Sequence, residues 1–182
     1  MKFIHCLFLA VALFIGGFLS GLLAPVPITN NITGSLNPLQ SLAEHIYSLP
    51  IFLGALAIFA KNAFAVGFSF IFSPLLCLVP VITLLANGWI LGYISLVTTQ
   101  QTSFGYVLAG LLPHGIIELP AVIIGEAAAL SFGTTLIAYL ITQRKPVTSF
   151  KTNLKYLIIS ILLLLPAAFI ERFITPLFLN VS

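Results

Sequence analysis

Aspartate is absent from this 182-residue chain, and charged residues of all kinds make up only 6% of it. Because globular soluble chains carry about 25% charged residues, this shortage excludes an ordinary soluble domain. The lack of Asp excludes an aspartyl catalytic dyad, and neither His-Glu-x-x-His nor Gly-x-Ser-x-Gly occurs. Any acidic chemistry must therefore use the four glutamates, which are Glu44, Glu118, Glu126 and Glu171.

Cysteine is also scarce. Cys6 and Cys77 both lie in apolar segments, and their positions match no metal-binding or redox motif. We therefore interpret them as small core or lipid-facing residues rather than a disulfide. The sequence gives no reason to expect a cofactor or a bound metal.

Hydrophobic residues make up 60% of the chain. This composition predicts an all-α, polytopic integral membrane helical bundle in the cell membrane, and the length suits a single membrane domain over residues 1–182. A cleaved signal peptide is the alternative for the first span, although its apolar run is longer than usual for one. About five spans are predicted, at residues 3–24, 50–72, 75–97, 114–142 and 156–175. The polar connection 25–49 is expected to end in a short interfacial helix from Leu39 to Tyr47.

Residues 104–143 are too long for one ordinary span. A single helix over this segment would measure about 60 Å, twice the thickness of the hydrocarbon core. We therefore expect a break at Pro113 and Gly115, with a broken or re-entrant helix near residues 104–115. Residues 98–103 are expected to form a polar loop before it.

Basic residues predict the orientation. Arg144, Lys145, Lys151 and Lys155 share one short loop, which the positive-inside rule places in the cytoplasm. Lys2 favours a cytoplasmic N-terminus, so five crossings leave the C-terminus external. The net charge of only +3 gives no sign of nucleic-acid binding. The expected partner is the lipid bilayer, with other membrane or envelope proteins and homo-oligomers left open.

Polar residues recur at one predicted depth. Asn87, His114, Glu118 and Glu171 all fall in the outer half of the bilayer on this topology, where unpaired polar groups are costly. His114 and Glu118 lie one helical turn apart. They are either a structural pair that caps a broken helix or a pair that handles protons or a ligand. Asn87 is either a link between helices or part of the same site.

Three further polar residues are candidates for this cluster. Lys61 and Asn62 interrupt the second span near mid-depth, and Asn62, Ala65 and Ser69 share one helical face. Glu126 lies deeper, and we expect it to be protonated or paired with Lys61. In the third span, Gly88 and Gly92 are spaced for close helix approach.

These residues carry a family resemblance over about residues 50–176. The segments Ala86-Asn87-Gly88, Leu112-Pro113-His114-Gly115 with Glu118-Leu119-Pro120-Ala121, and Ile170-Glu171 with Ile174-Thr175-Pro176 resemble the stage II sporulation protein M family. The resemblance implies a five-span membrane protein with the polar cluster Asn87, His114, Glu118 and Glu171. In spore formers it implies action with envelope-remodelling partners, the sporulation stage II proteins D and P.

Three functions remain open at this point. The first is a membrane scaffold or assembly protein of the resembled type. The second is a small permease, or an ion- or proton-coupled transporter, that uses the buried Asn, His and Glu residues. The third is an intramembrane enzyme with a Glu and His site, although no catalytic residue is assigned. A sealed and fully paired cluster would favour the scaffold, whereas a cavity open to one side would favour transport or lipid chemistry.

Overall fold

The computed structural model describes residues 2–24, 45–143 and 148–179, and these ranges contain helices and no strand. Five helical segments are long and apolar enough to cross a membrane, which confirms the predicted all-α, five-span bundle. The helices are α1 (Phe3–Leu22), α2 (Ile51–Phe72), α3 (Leu78–Gln101), α4 (Phe104–Thr142), α5 (Phe150–Phe173) and the short α6 (Thr175–Leu179).

The expected break near residues 104–115 is wrong. Helix α4 runs without interruption for 39 residues, with Pro113 and Pro120 inside it. Each proline removes one backbone hydrogen bond, but neighbouring helices can support such sites in a membrane bundle. Helix α4 contacts each of the other five helices named above, so its tertiary contacts can offset the two missing bonds.

The polar loop expected at residues 98–103 is also shorter than predicted. Helix α3 continues to Gln101, and only Thr102 and Ser103 separate it from α4. The hydroxyls of Thr99 and Thr102 donate to carbonyls four residues earlier, at 2.7 and 2.8 Å. These bonds satisfy hydroxyl groups in the last turn of α3 and just after its end, so a polar sequence did not require a long loop here.

Helices α1 and α3 pack backbone against backbone through glycines from both sides. A Cβ atom built on Gly88 would overlap the carbonyl oxygen of Phe14, and one on Gly92 would overlap that of Phe18. Gly17 and Gly21 of α1 meet Leu85 and Trp89 of α3 in the same way. The close approach expected at Gly88 and Gly92 is therefore present, and α1 supplies the matching glycines.

Helix α2 places Asn62, Ser69 and its aromatic residues as its sequence pattern predicts, but Ala65, expected on the same face as Asn62 and Ser69, is exposed. Asn62 and Ser69 point toward α4, where each hydrogen-bonds a glutamate. Phe64 and Phe68 lie on the outer surface, with 73% and 43% of each exposed, and suit lipid. The bundle thus has a polar interior between α2, α4 and α5, beside the apolar contact of α1 with α3.

Several predicted features fall outside the described residues. Glu44, Arg144, Lys145 and most of the 25–49 connection belong to this group. Of the interfacial helix expected over residues 39–47, the described part begins at His45, and residues 45–48 are helical. The orientation of the bundle remains a prediction from the basic residues.

Candidate functional site: a polar cavity between the helices

A cavity of about 320 Å³ lies where α2, α3, α4 and α5 meet. Its polar lining comprises residues from four helices, and apolar residues, including Phe14 of α1, complete the wall. The structure thus brings Asn87, His114, Glu118 and Glu171 together around one space, with Lys61 beside them. The polar lining residues are Lys61, Asn87, His114, Glu118 and Glu171.

His114 and Glu118 form the centre of this lining. Successive turns of α4 place them on one face, with His114 Nε2 at 3.8 Å from Glu118 Oε2. Their side chains are 15% and 21% exposed, so both groups are largely withdrawn from the surface. Because α4 is continuous, the role of the pair as a cap on a broken helix does not apply.

Thr175 fixes the orientation of the His114 ring. The ring Nδ1 lies 3.1 Å from the hydroxyl of Thr175, the first residue of α6. That hydroxyl donates its own hydrogen to the carbonyl of Ile170, at 3.4 Å. With its hydrogen given to Ile170, the hydroxyl can accept one from Nδ1, since it has only one to give. This arrangement suits the tautomer with the proton on Nδ1, in which Nε2 is free to bind in the cavity.

Asn62 holds the Glu118 carboxylate from the opposite side. Its amide Nδ2 donates to Glu118 Oε1 at 2.9 Å, across the contact between α2 and α4. The second oxygen, Oε2, is the one that faces His114. One oxygen is therefore used for positioning, and the other is available to the cavity.

Glu171 enters the cavity from α5, while its neighbour Arg172 turns away from it. The guanidinium of Arg172 donates to the carbonyls of Tyr47 and Leu49 at 2.9 and 3.1 Å. Its Cζ also lies 5.0 Å from the centre of the Tyr47 ring. Burial raises the pKa of the Tyr47 hydroxyl, and the Glu171 charge raises it further, against the opposing effect of Arg172. Arg172 thus anchors the preceding connection to α5, and Glu171 is left to the site.

Lys61 and Asn87 lie at the open edge of the cavity. Both residues are exposed, although they line the same space as the partly buried His114 and Glu118. Asn87 makes no hydrogen bond within the part of the chain that the structure describes. The cluster is therefore not a sealed and fully paired structural network.

Glu126 lies outside this cavity, and the suggested pairing with Lys61 is wrong. The Glu126 side chain is fully buried and accepts a hydrogen bond from Ser69 at 2.5 Å. Asn62 bonds Glu118, and Ser69, seven residues later in α2, bonds Glu126, eight residues later in α4. Helices α2 and α4 therefore run in the same direction. Lys61 therefore lies about 12 Å from Glu126 along the helix axis, farther than its side chain reaches.

Thr175 is the residue of the site that sequence reasoning did not assign. Its position four residues after Glu171 was the available signal, because residues four apart share one side of a helix. However, α5 ends at Phe173 and α6 begins at Thr175, so this spacing does not lie in one regular helix. Only the fold shows that Thr175 reaches the ring of His114.

The lining combines groups that bind cations with groups that bind anions. His114, Glu118 and Glu171 can each offer one ligand atom, and these three atoms lie within 4.8 Å of one another. The ammonium of Lys61 supplies the opposite charge nearby. The cavity can thus hold a small ion or polar solute, or exchange a proton among its glutamates and histidine.

Comparisons with known proteins agree with the resemblance. The chain matches the family described as stage II sporulation protein M over residues 6–176. It is 32% identical over 147 residues to the uncharacterized protein MJ0706 of Methanocaldococcus jannaschii, covering 75% of this chain and 65% of the relative. It is 36% identical over 99 residues to the uncharacterized protein MJ0793 of the same organism, covering 52% of this chain and 56% of the relative.

The chain spans less than two-thirds of the length of these two relatives. No solved structure matches it significantly. The family match nevertheless extends over nearly all of the chain and includes every lining residue of the cavity. The chain belongs to the stage II sporulation protein M family.

Proposed function

We propose that this protein is a small membrane permease that binds an ion or a small polar solute in the cavity between α2, α3, α4 and α5. One observation carries the proposal: a polar cavity inside a membrane bundle has an exposed rim and a partly buried His and Glu lining. Ionisable groups are costly in hydrocarbon, and they commonly mark solute or ion pathways.

The positioning of the lining side chains supports this proposal. A purely structural cluster needs only mutual hydrogen bonds, which lower the cost of burying polar groups. Here Thr175 and Asn62 hold the outer atoms of His114 and Glu118, and the remaining atoms face the cavity. Such support behind the lining is typical of a site that must present atoms to a ligand.

Two measurements test the proposal. In a cysteine-free background, Asn87→Cys should react with a membrane-impermeant thiol reagent, with the buried position Leu164 as the unreactive control. In proteoliposomes, a panel of ions that includes protons and Zn²⁺ should contain at least one that crosses faster than in empty vesicles. Glu171→Gln should reduce that flux. If Asn87→Cys does not react and no tested ion crosses faster, the permease proposal is wrong.

A scaffold function is the second candidate, and family membership is the observation that favours it. The resemblance implies that the family's namesake acts with envelope-remodelling partners. A scaffold would retain its partners when the cavity is altered, because its binding surfaces lie on the outside of the bundle. Affinity purification from native membranes should then recover the same envelope proteins with wild type and with Glu171→Gln. Loss of those proteins with Glu171→Gln would contradict a scaffold function independent of the cavity.

A further inference from the structure

We propose that His114, Glu118 and Glu171 form a binding site for one divalent transition-metal ion, for which we take Zn²⁺ as the probe. The inference rests on the proposed function, because it names the class of ion that the cavity binds. One ring nitrogen and two carboxylate oxygens come together within 4.8 Å across two helices. This donor set contains an imidazole, which favours metals such as zinc over magnesium or calcium.

The distances allow the three side chains to close on one ion. Metal–nitrogen and metal–oxygen bonds to zinc are about 2.0–2.2 Å, so neighbouring ligand atoms in a tetrahedral site lie about 3.4 Å apart. His114 Nε2 and Glu118 Oε2 are 3.8 Å apart. All three ligand atoms lie within 4.8 Å of one another, so each pair must approach by at most about 1.4 Å, which side-chain rotation can supply.

The hydrogen bonds around His114 and Glu118 are of the kind that support the ligands of a metal site. A metal-binding histidine usually donates its other ring N–H to an acceptor, which fixes its tautomer. His114 Nδ1 lies 3.1 Å from the Thr175 hydroxyl, which can accept that N–H in the tautomer that leaves Nε2 free for a metal. Asn62 likewise holds the oxygen of Glu118 that does not face His114. These two contacts come from α6 and α2, outside the ligand set.

The charges in the cavity favour a divalent cation. With both carboxylates ionised and the imidazole neutral, the ligand set would carry a charge of −2, and Lys61 would reduce the total to −1. Lys61 is exposed, and its flexible stem allows the ammonium to move toward the open edge when a cation enters. Removing this positive charge should therefore strengthen metal binding. The sign of that effect distinguishes a cation site from an anion site, where Lys61 would be an essential ligand.

The test is calorimetric titration of the purified, tag-free, chelator-treated full chain with Zn²⁺. We expect one Zn²⁺ per chain, with little competition from millimolar Mg²⁺. Glu118→Gln, Glu171→Gln and His114→Ala should each weaken binding by at least about 100-fold, and Thr175→Val by roughly 10–100-fold. Lys61→Gln should tighten it. The matched controls are Glu126→Gln, a buried glutamate on the same helix outside the cavity, and His5→Ala, an exposed histidine.

The controls decide between this site and adventitious binding. Absence of stoichiometric Zn²⁺ binding, or binding that Glu118→Gln and Glu171→Gln leave unchanged, would overturn the inference. Thermal unfolding of each variant without metal verifies that a loss of binding is not a loss of fold. Zn²⁺ binding without flux in proteoliposomes would refute the permease proposal and leave the metal site intact. Flux of another ion without Zn²⁺ binding would refute the metal site and leave the permease proposal intact.

Discussion

Replacing Gly17 with alanine should destabilise the bundle, whereas the same change at its neighbour Gly16 should not. Gly17 is buried against α3, and a Cβ atom there would lie 3.1 Å from the Cα and carbonyl carbon of Leu85 and closer to its oxygen. A Cβ at Gly16 would have no atom of another helix within 4 Å. The two variants carry the same chemical change on adjacent residues of one helix.

The two substitutions should change the free energy of unfolding in opposite directions. Alanine in a helix interior is favoured over glycine by about 0.5–1 kcal/mol, so Gly16→Ala should be neutral or slightly stabilising. At Gly17 the methyl group must push α1 away from α3, and overpacking of this kind costs about 1–3 kcal/mol. The propensity gain is common to both variants, so the difference between them should be roughly 1–3 kcal/mol. For a chain of this size, that corresponds to a separation of about 2–12 °C in Tm.

Thermal unfolding of both purified variants in one detergent measures this difference. The same reasoning applies from the other helix, where Gly88→Leu should lower the Tm strongly because of the contact with Phe14. Equal Tm values for Gly16→Ala and Gly17→Ala would show that α1 does not lie against α3 as described. A lower Tm for Gly16→Ala alone would mean that the buried and exposed faces of α1 are reversed.

Three further outcomes are expected. Ser149→Cys in a cysteine-free background should react with an impermeant reagent only after the cells are permeabilised, and labelling from outside intact cells would refute the five-span orientation. The double-mutant cycle of Asn62→Ala and Glu118→Ala should give a coupling energy of about 1–2 kcal/mol in thermal unfolding, because their hydrogen bond is partly buried. Additive losses would show that the bond does not form. Ser69→Ala should lower the unfolding free energy by about 1–3 kcal/mol, since it removes the hydrogen bond to a fully buried carboxyl. An unchanged Tm would mean that this bond contributes nothing.

The number of membrane spans follows from hydropathy, because a membrane span needs a long apolar segment whatever its partners are. Their bounds follow less well, since α4 begins at Phe104 and α5 at Phe150, before the predicted residues 114 and 156. The inward face of α2 could also be predicted, since Asn62 and Ser69 recur at helical spacing and Phe64 falls on the opposite side. The hydrogen bonds to α4 confirm that orientation. These features depend on local pattern alone, which a single sequence contains.

The errors arose where the outcome depends on packing between helices. Pro113 weakens a helix locally, but α4 contacts each of the five other helices named above, and a local rule does not include their support. Pairing of Lys61 with Glu126 was suggested by charge, yet the parallel register of α2 and α4 places Ser69 opposite Glu126. The role of Thr175 likewise depends on the turn between α5 and α6, which no sequence spacing specified.

The continuity of α4 has a consequence for the site. His114 and Glu118 lie on this one helix, whereas Glu171 comes from α5 and the support of His114 comes from Thr175 just beyond it. The distance between α4 and α5 therefore controls whether the three ligand atoms can meet. A bound ion would hold these two helices together, and its release would remove that constraint. Since Ser160 of α5 already packs against Gly125 of α4 and donates to the carbonyl of Ala121 at 2.7 Å, the ion would add a link to a helix contact that exists without it.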